Sequence, residues 1–387
     1  MTFQTSDRPL VESYDVIIAG GGPAGCSAAM VLCQAGLKVC IVDPLPQRAV
    51  KEGESLPGAA LRLLNRLGIR SMEDLLGLHC FKPCVANASA WGSDQWVYND
   101  SLQNPEGGGW HLDRLAFDQA FRGKALSMGV TFNKAQFKNL SLKPSTETTK
   151  QVYEVSISPV DPSSPKALFA PWVIDATGRK SALCEKLQIE KIRLSQQMAC
   201  LCWLKQQPGD QDNTTCIKSV EQGWWYSARL PGGQRVLSFF GLPDYVTQLV
   251  KQPGLFFDSC NASGLLKFAV SAQQIAYPLR AVDASSFKLS CAGAPGWVAV
   301  GDAVLANDPL SSQGIFFALY SGVRGAEAIL ESWGKTEPTE DSGYLPSIQK
   351  YQKQVDSVFQ ANQKSRMYYY SCEQRYPLKD YWRSFNW

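Results

Sequence analysis

The sequence predicts an α/β fold: a Rossmann-like dinucleotide-binding domain, an inserted and mainly antiparallel β-sheet domain for the substrate, and a C-terminal helical and aromatic tail. Three observations predict it. An apolar run near the start of the chain ends in a glycine-rich turn, strand-like segments dominate between Ile192 and about Asp283, and a second apolar strand delivers Gly301 and Asp302 just before a long helical pattern.

The first element is the run Val16–Ala19, short and apolar throughout, as a buried parallel strand should be. Gly20, Gly22 and Gly25 then form a GxGxxG turn, with Pro23 and Ala24 opening the helical pattern that runs to Gln34. Gly20 permits the tight turn, Gly22 lets the backbone approach a pyrophosphate, and Gly25 lets helix and strand pack closely. A second strand, Leu37 to Val42, ends in Asp43, eighteen residues past Gly25, where an acceptor for a ribose hydroxyl is expected. This unit alone leaves NAD(P) and FAD both open.

Composition narrows the classes. A chain of 387 residues can bury a large core and suggests two connected domains. The formal net charge is +3 without a basic run, so neither nucleic acid nor an anionic membrane is an expected partner. No apolar run approaches the ~18 residues that span a bilayer. Met1–Pro9 lacks the pattern of a signal peptide, which makes the cytoplasm the expected location. The twelve cysteines are scattered without CxxC pairs and the only histidines are His79 and His111, so free buried thiols are expected, with no metal site.

After Asp43, a polar turn carrying Gly53, Glu54 and Ser55 precedes a helical pattern from Ala59 to Leu67. Trp91 to Tyr98 alternates like a strand. His111 to Phe121 reads as a helix with Asp113 as N-cap, which puts Arg114 in a first turn where the helix dipole disfavours a cation. Arg114 is therefore either solvated or faces an anionic neighbour. Trp172 to Arg179 is another apolar strand, ending in Asp175 and Gly178, suited to a second approach to the cofactor. Strands at Met198–Leu204, Gly223–Leu230 and Arg235–Gly241 form the inserted domain. The stretch Gly296–Ile315 delivers Gly301 and Asp302 on a strand end, then a loop from Pro309 through Gln313, Gly314 and Ile315 whose helix-start amides can face an anion. The expected division is 12–80, 105–185 and 286–333 for the dinucleotide domain, 81–104 and 191–285 for the substrate domain, and 334–387 for the C-terminal region. The tail from Tyr368 to Trp387 is too aromatic for a disordered end: it either covers its own chain or meets a partner.

Taken together and in order, the glycine turn, the Gly301–Asp302 strand end and the Pro309–Ile315 loop resemble the FAD-dependent monooxygenase and tryptophan-halogenase-like superfamily, with its p-hydroxybenzoate-hydroxylase-type fold. The resemblance implies FAD as cofactor, Arg114 in contact with it, Asp302 on its ribityl chain and the Pro309–Ile315 loop along its isoalloxazine. Amides near Gln313, Gly314 and Ile315 would then stabilise the negative charge of the reduced ring. The chain departs from single-component aromatic hydroxylases at Asp175–Arg179, which puts direct NADPH use in doubt. It departs from tryptophan halogenases at Trp224–Arg229, where only the first tryptophan of their WxWxIP signature is matched, and before Trp91, where Asn87 stands in place of a catalytic lysine and Lys82 precedes a proline. Gly53–Ala60 (GESLPGAA), Glu373–Pro377 (EQRYP) and Tyr381–Arg383 look most like the branch of flavoproteins that modify cysteine tryptophylquinone precursors of lysine and glycine oxidases.

That resemblance implies a flavin-dependent monooxygenase that hydroxylates a tryptophan of a protein substrate, the precursor of a quinone-containing amino-acid oxidase, using O2 and an electron donor the sequence does not identify. Glu54 is the candidate proton relay beside the flavin, unless it is a solvated loop carboxylate, and Pro309 is the second residue expected at the reacting end. His79 and His111 are expected to be structural. Two rival readings stay open: a hydroxylase or halogenase of a free small aromatic molecule, and a flavin-bearing chaperone of the oxidase precursor.

Overall fold

The computed structural model describes residues 12–45, 49–101, 104–144, 151–334 and 345–385. Its architecture is mixed α/β. A six-stranded sheet runs in the order Gly293–Ala294, Trp297–Ala299, Trp172–Asp175, Val16–Ala19, Val39–Val42, Thr131–Asn133. All its pairings are parallel except that of Gly293–Ala294. Val16–Ala19 lies at its centre and is buried at every position, which is why the run is apolar without alternation. The helices Pro23–Gln34 and Gly314–Ser332 pack together beside this sheet. A Cβ on Gly322 would meet the Ala24 carbonyl oxygen at 2.4 Å, so the second helix reaches the first only because position 322 has no side chain. A four-stranded sheet, Glu12–Ser13, Ala167–Ala170, Gln151–Pro159 and Ala135–Pro144, sends Val155, Ile157 and Leu168 into the same core.

The inserted sheet has seven strands, in the order Ile275–Asp283, Met198–Leu204, Arg235–Gly241, Gly223–Arg229, Thr215–Val220, Ala86–Ala90, Val97–Asp100. It is antiparallel apart from the pairing of Thr215–Val220 with Ala86–Ala90. Strand alternation divides it into two faces. Cys200, Cys202, Leu204, Trp225, Leu237 and Phe239 face the helices Pro243–Lys251 and Pro253–Ser263. Ala199, Leu201, Trp203, Trp224, Tyr226, Val236 and Phe240 face the other way, toward the dinucleotide domain and the tail.

Local differences from the expected elements have local causes. The helix begins at Arg114, with the Asp113 carboxylate accepting from the Ala116 amide at 3.0 Å, while His111 belongs to the strand Gly109–Leu112. Trp91 to Tyr98 is not one strand: Gly92, at φ 72°, turns the chain between Ala86–Ala90 and Val97–Asp100. The tail forms the helices Pro346–Ser371 and Asp380–Arg383, and Tyr370, Tyr381, Trp382 and Phe385 are buried against the Trp224 face of the inserted sheet. Asn386 and Trp387, like Met1–Pro9, lie outside the described residues. All twelve cysteines are free thiols. Among the described residues no helix is long and apolar enough to cross a membrane.

Candidate active site

One cavity of about 860 Å³ runs from the glycine turn to the Pro309–Ile315 loop and is roofed by the inserted sheet. Its two ends are both helix starts without a side-chain cap: Gly22 precedes Pro23–Gln34, and Gln313 precedes Gly314–Ser332. Each leaves unpaired amides and the positive end of a helix dipole facing the cavity. An elongated dinucleotide with a pyrophosphate at one end and an electron-accepting ring at the other fits this arrangement.

Gly20, Gly22, Pro23, Ala24 and Asp43 line the first end. Asp43 accepts from the Gly21 amide at 2.6 Å and from the Leu45 amide at 2.7 Å, so it pins the turn while staying at the cavity edge. Gly25 lies behind the turn: a Cβ there would meet the Gly20 carbonyl oxygen at 2.0 Å, whereas one on Gly22 would meet nothing within 4 Å. Gly22 thus leaves open space for a ligand, and Gly25 serves the packing of helix on strand.

Arg114 lines the wall and has the anionic neighbour that its place in the helix suggested. Its Nε donates to Asp118 at 2.9 Å, one turn on, and its terminal nitrogen donates to the carbonyls of Glu52 at 2.9 Å and Gly53 at 3.0 Å. Lys51 pairs with the same carboxylate. Burial works against the Asp118 charge, but Arg114 and Lys51 outweigh it and hold the carboxyl below its usual range. Burial, helped by Arg114, lowers the Lys51 ammonium. Two cations against one carboxylate leave this stretch of wall positive.

Asp302 faces the cavity and has no hydrogen-bond partner among the described residues; burial raises its carboxyl. Gly301, at φ 63°, lies behind it against Ala24. The amide nitrogen of Asn307, also on the lining, is buried without a hydrogen-bond partner. A cavity-facing carboxylate without a protein partner and a buried, unpartnered amide donor on one wall are what a ribityl chain and a flavin ring would satisfy, so the residues present fit FAD. Pro309, Gln313, Gly314 and Ile315 complete that end, and Gly178 lines the cavity from the opposite strand end.

Asp175 is placed differently from the other strand-end acids. It is fully buried, off the lining, and its oxygens accept from Thr177 and from the amides of Leu183 and Cys184 at 2.9 and 2.8 Å. Its carboxylate caps the helix Ala182–Lys186 rather than reaching the cavity.

The roof combines aromatic and acid–base groups. Trp224 stacks on Phe240 with ring centroids 4.0 Å apart, and Trp203 lies under the Arg280 guanidinium at 4.8 Å. Glu54 is buried, not solvated. Burial raises its carboxyl, although a hydrogen bond with the Tyr226 hydroxyl and the charge of Arg114 oppose this. The Tyr226 hydroxyl also meets Ser55 Oγ at 2.9 Å, and burial followed by Glu54 raises the phenol. Tyr226 was not singled out from the sequence, although its position two residues after Trp224 on a strand puts both on one face. Lys51 and Asn307 carry no comparable signal. Lys82 and Asn87 are not on the lining. His111 is buried away from it, bridging the Arg229 carbonyl at 3.0 Å and Thr215 Oγ1 at 2.8 Å, and burial brings its imidazole down to about 4.

Comparison with known proteins agrees with this geometry. A family model described as an FAD binding domain matches residues 13–73. The chain is 25% identical over 377 residues to LodB of Marinomonas mediterranea, provisionally named an FAD-dependent oxidoreductase, with 96% of this chain and 97% of LodB aligned. Its fold is that of CmlS, a flavin-dependent halogenase (TM-score 0.80, 22% identity, 98% of this chain and 68% of that one). It is also similar to that of QhpG, a peptidyl tryptophan dihydroxylase essential for tryptophylquinone cofactor biogenesis (TM-score 0.75, 20% identity, 96% of this chain and 78% of that one).

Proposed function

We propose that this chain, an FAD-dependent oxidoreductase with the fold of the flavin-dependent halogenases and monooxygenases, hydroxylates a tryptophan side chain of a partner protein. The partner would be the precursor of a quinone-containing amino-acid oxidase, modified in the cytoplasm on the way to cysteine tryptophylquinone. The observation that carries this reading is the chemistry of the roof above the Pro309–Ile315 loop. It offers Trp203, Trp224 and Phe240 to receive an indole, and a carboxyl and a phenol, Glu54 and Tyr226, to handle protons. Among the described residues the lysines on the cavity are Lys51, engaged with Asp118, and Lys180. The aromatic roof therefore carries no amine of the kind a halogenase uses. The likeness to a peptidyl tryptophan dihydroxylase supports the substrate class.

Bound FAD, once reduced by a separate donor, supplies the activation of O2. The residues of the chain do the rest. The unpaired amides of Gly22 and Ala24, with Asp43, would hold the ADP half, Arg114 and Asp302 would hold the middle, and the amides of Gly314 and Ile315 would face the ring. Pro309 fixes the backbone entering that loop. The aromatic roof excludes water and flattens the indole against the site. Glu54, as carboxylate, accepts the proton that the hydroxylated ring carbon sheds as aromaticity returns, and Tyr226 and Ser55 orient it.

Mass spectrometry of the candidate partner, co-expressed with and without this chain, tests the proposal. A gain of oxygen on one tryptophan is expected; an unchanged partner together with turnover of free tryptophan or another small aromatic would instead favour a small-molecule hydroxylase or halogenase, the reading the CmlS fold supports. An Asp302 variant that folds, loses FAD and still yields mature partner would favour a flavin-bearing chaperone.

A further inference from the structure

Asp308 stands directly before Pro309, on the segment that enters the flavin loop, and is itself part of the cavity lining. It is buried, and its carboxylate is held from two directions. Within the loop, Oδ1 accepts from the Leu310 amide at 3.0 Å and caps the short turn Pro309–Ser311. From outside, the long C-terminal helix brings two side chains to it. The Tyr370 hydroxyl lies 3.3 Å from both carboxylate oxygens, and Arg366 Nε lies 3.3 Å from Oδ2.

Both side chains are buried among the tail's own aromatics. The Arg366 guanidinium sits 4.8 Å over the Phe385 ring and 5.9 Å over that of Tyr370, its Nε and NH2 both lack a hydrogen-bond partner among the described residues, so that Nε meets Asp308 as an ion pair without hydrogen-bond geometry, and Tyr370 stacks on Phe385 with centroids 4.0 Å apart. Leu310, the next loop residue but one, packs into the same cluster. A buried guanidinium this poorly satisfied is costly unless a carboxylate compensates it, and Asp308 is the carboxylate it faces. Among the described residues Asp308 likewise has no other cation in contact with it. The two charges stabilise each other and join the tail helix to the loop.

We infer that Arg366 and Tyr370 of the C-terminal helix are positioning residues of the flavin site: through Asp308 they set the Pro309–Ile315 loop in the conformation that receives the isoalloxazine. The tail is then a working wall of the cofactor site and not only a cover or a partner surface. This inference needs FAD at the site but not any particular substrate, so it stands or falls separately from tryptophan hydroxylation.

The test uses the full chain stripped of flavin and titrated with FAD, with the visible spectrum and midpoint potential of the bound flavin as further readouts. A hydrogen bond and an ion pair to a buried carboxylate are strong enough that Tyr370→Phe should weaken FAD binding about tenfold and Arg366→Gln by more, with a shifted flavin spectrum and potential. Arg366→Lys should restore most of the loss. Glu373→Gln is the control. It disturbs a different tail anchor, in which Glu373 accepts from the Gly92 amide at 3.1 Å and from Ser219 at 2.5 Å, and should leave FAD affinity within about twofold. If Arg366→Gln does not fold, Tyr370→Phe, which removes a single hydroxyl, decides. Unchanged FAD affinity, spectrum and potential in the folded variants overturns the inference, and so does an equal loss in Glu373→Gln.

Discussion

The hydroxyl oxygens of Tyr226 and Ser55 are 2.9 Å apart, which ties the inserted sheet to the loop after the second strand of the dinucleotide domain, and Glu54 is buried against the same phenol. Replacing Glu54 by Gln keeps the volume and removes the titrating group. Hydroxylated product per flavin oxidised should fall by about a hundredfold or more while FAD binding persists. Because burial raises this carboxyl, wild-type product formation should climb with pH through the raised value and Glu54→Gln should flatten that limb, as rates measured across pH will show.

The same group makes a stability prediction of defined sign. A carboxyl raised in the folded state binds its proton more tightly there than when unfolded. Its favourable contribution is complete below the unfolded value of 4.5 and is lost as pH rises through the folded one. Denaturant titrations of apoprotein should therefore find Glu54→Gln gaining on wild type as pH increases.

His111 has the opposite sign. Burial lowers it from 6.5 to about 4, so the folded state keeps it neutral while the unfolded chain takes up a proton. Stability should fall as pH drops from 6.5 toward 4, by about 3 kcal/mol from this residue alone. Unfolding curves of His111→Gln, compared with wild type at each pH, should lack that slope.

Asp302 separates cofactor binding from apoprotein stability. Its carboxyl is raised by burial and has no hydrogen-bond partner among the described residues, so the apoprotein carries it at a cost. Asp302→Asn should raise the apoprotein melting temperature and weaken FAD by about tenfold or more, measured by thermal unfolding and by flavin titration. A variant that lost both would show that the side chain supports the fold.

The two glycines of the turn should fail differently. Gly25→Ala puts a methyl 2.0 Å from the Gly20 carbonyl oxygen and should cost several kcal/mol of stability, about the scale of overpacking in a core. Gly22→Ala meets nothing within 4 Å and should fold normally yet bind FAD weakly. Thermal unfolding and FAD titration of the pair read out both effects.

How legible the site was depended on how local its parts are. Gly20, Gly22, Asp43 and the helix start at Gly314 could be found because each rests on backbone geometry written in neighbouring residues. The Arg114–Asp118 pair was within reach, being one helical turn long. Asp175, like Asp302, is an acid close to a glycine at the end of an apolar strand, and what separates it is Thr177 and the helix after Ser181 folding back to consume its oxygens. Tyr226 against Glu54, Lys51 against Asp118 and Arg366 against Asp308 join positions 58 to 172 residues apart, and no periodicity in one chain encodes which of those meet. The inserted sheet was plain in outline because its strands alternate, but the turn at Gly92 was hidden by the aromatic residues around it.

Most of the thiols are sheltered from the oxidant that the proposed reaction would use. Burial pushes Cys200, Cys202 and Cys260 up to about 12 and Cys216 up to about 11, so at neutral pH they stay protonated and poorly reactive toward peroxide. Cys372, at the end of the helix that carries Arg366 and Tyr370, is the exposed one. A leak of oxidant from an uncoupled turnover would mark that sulfur first. If the proposed hydroxylation is the reaction, its oxidation state, read in purified enzyme, would serve as a running record of how often oxygen activation misses its target.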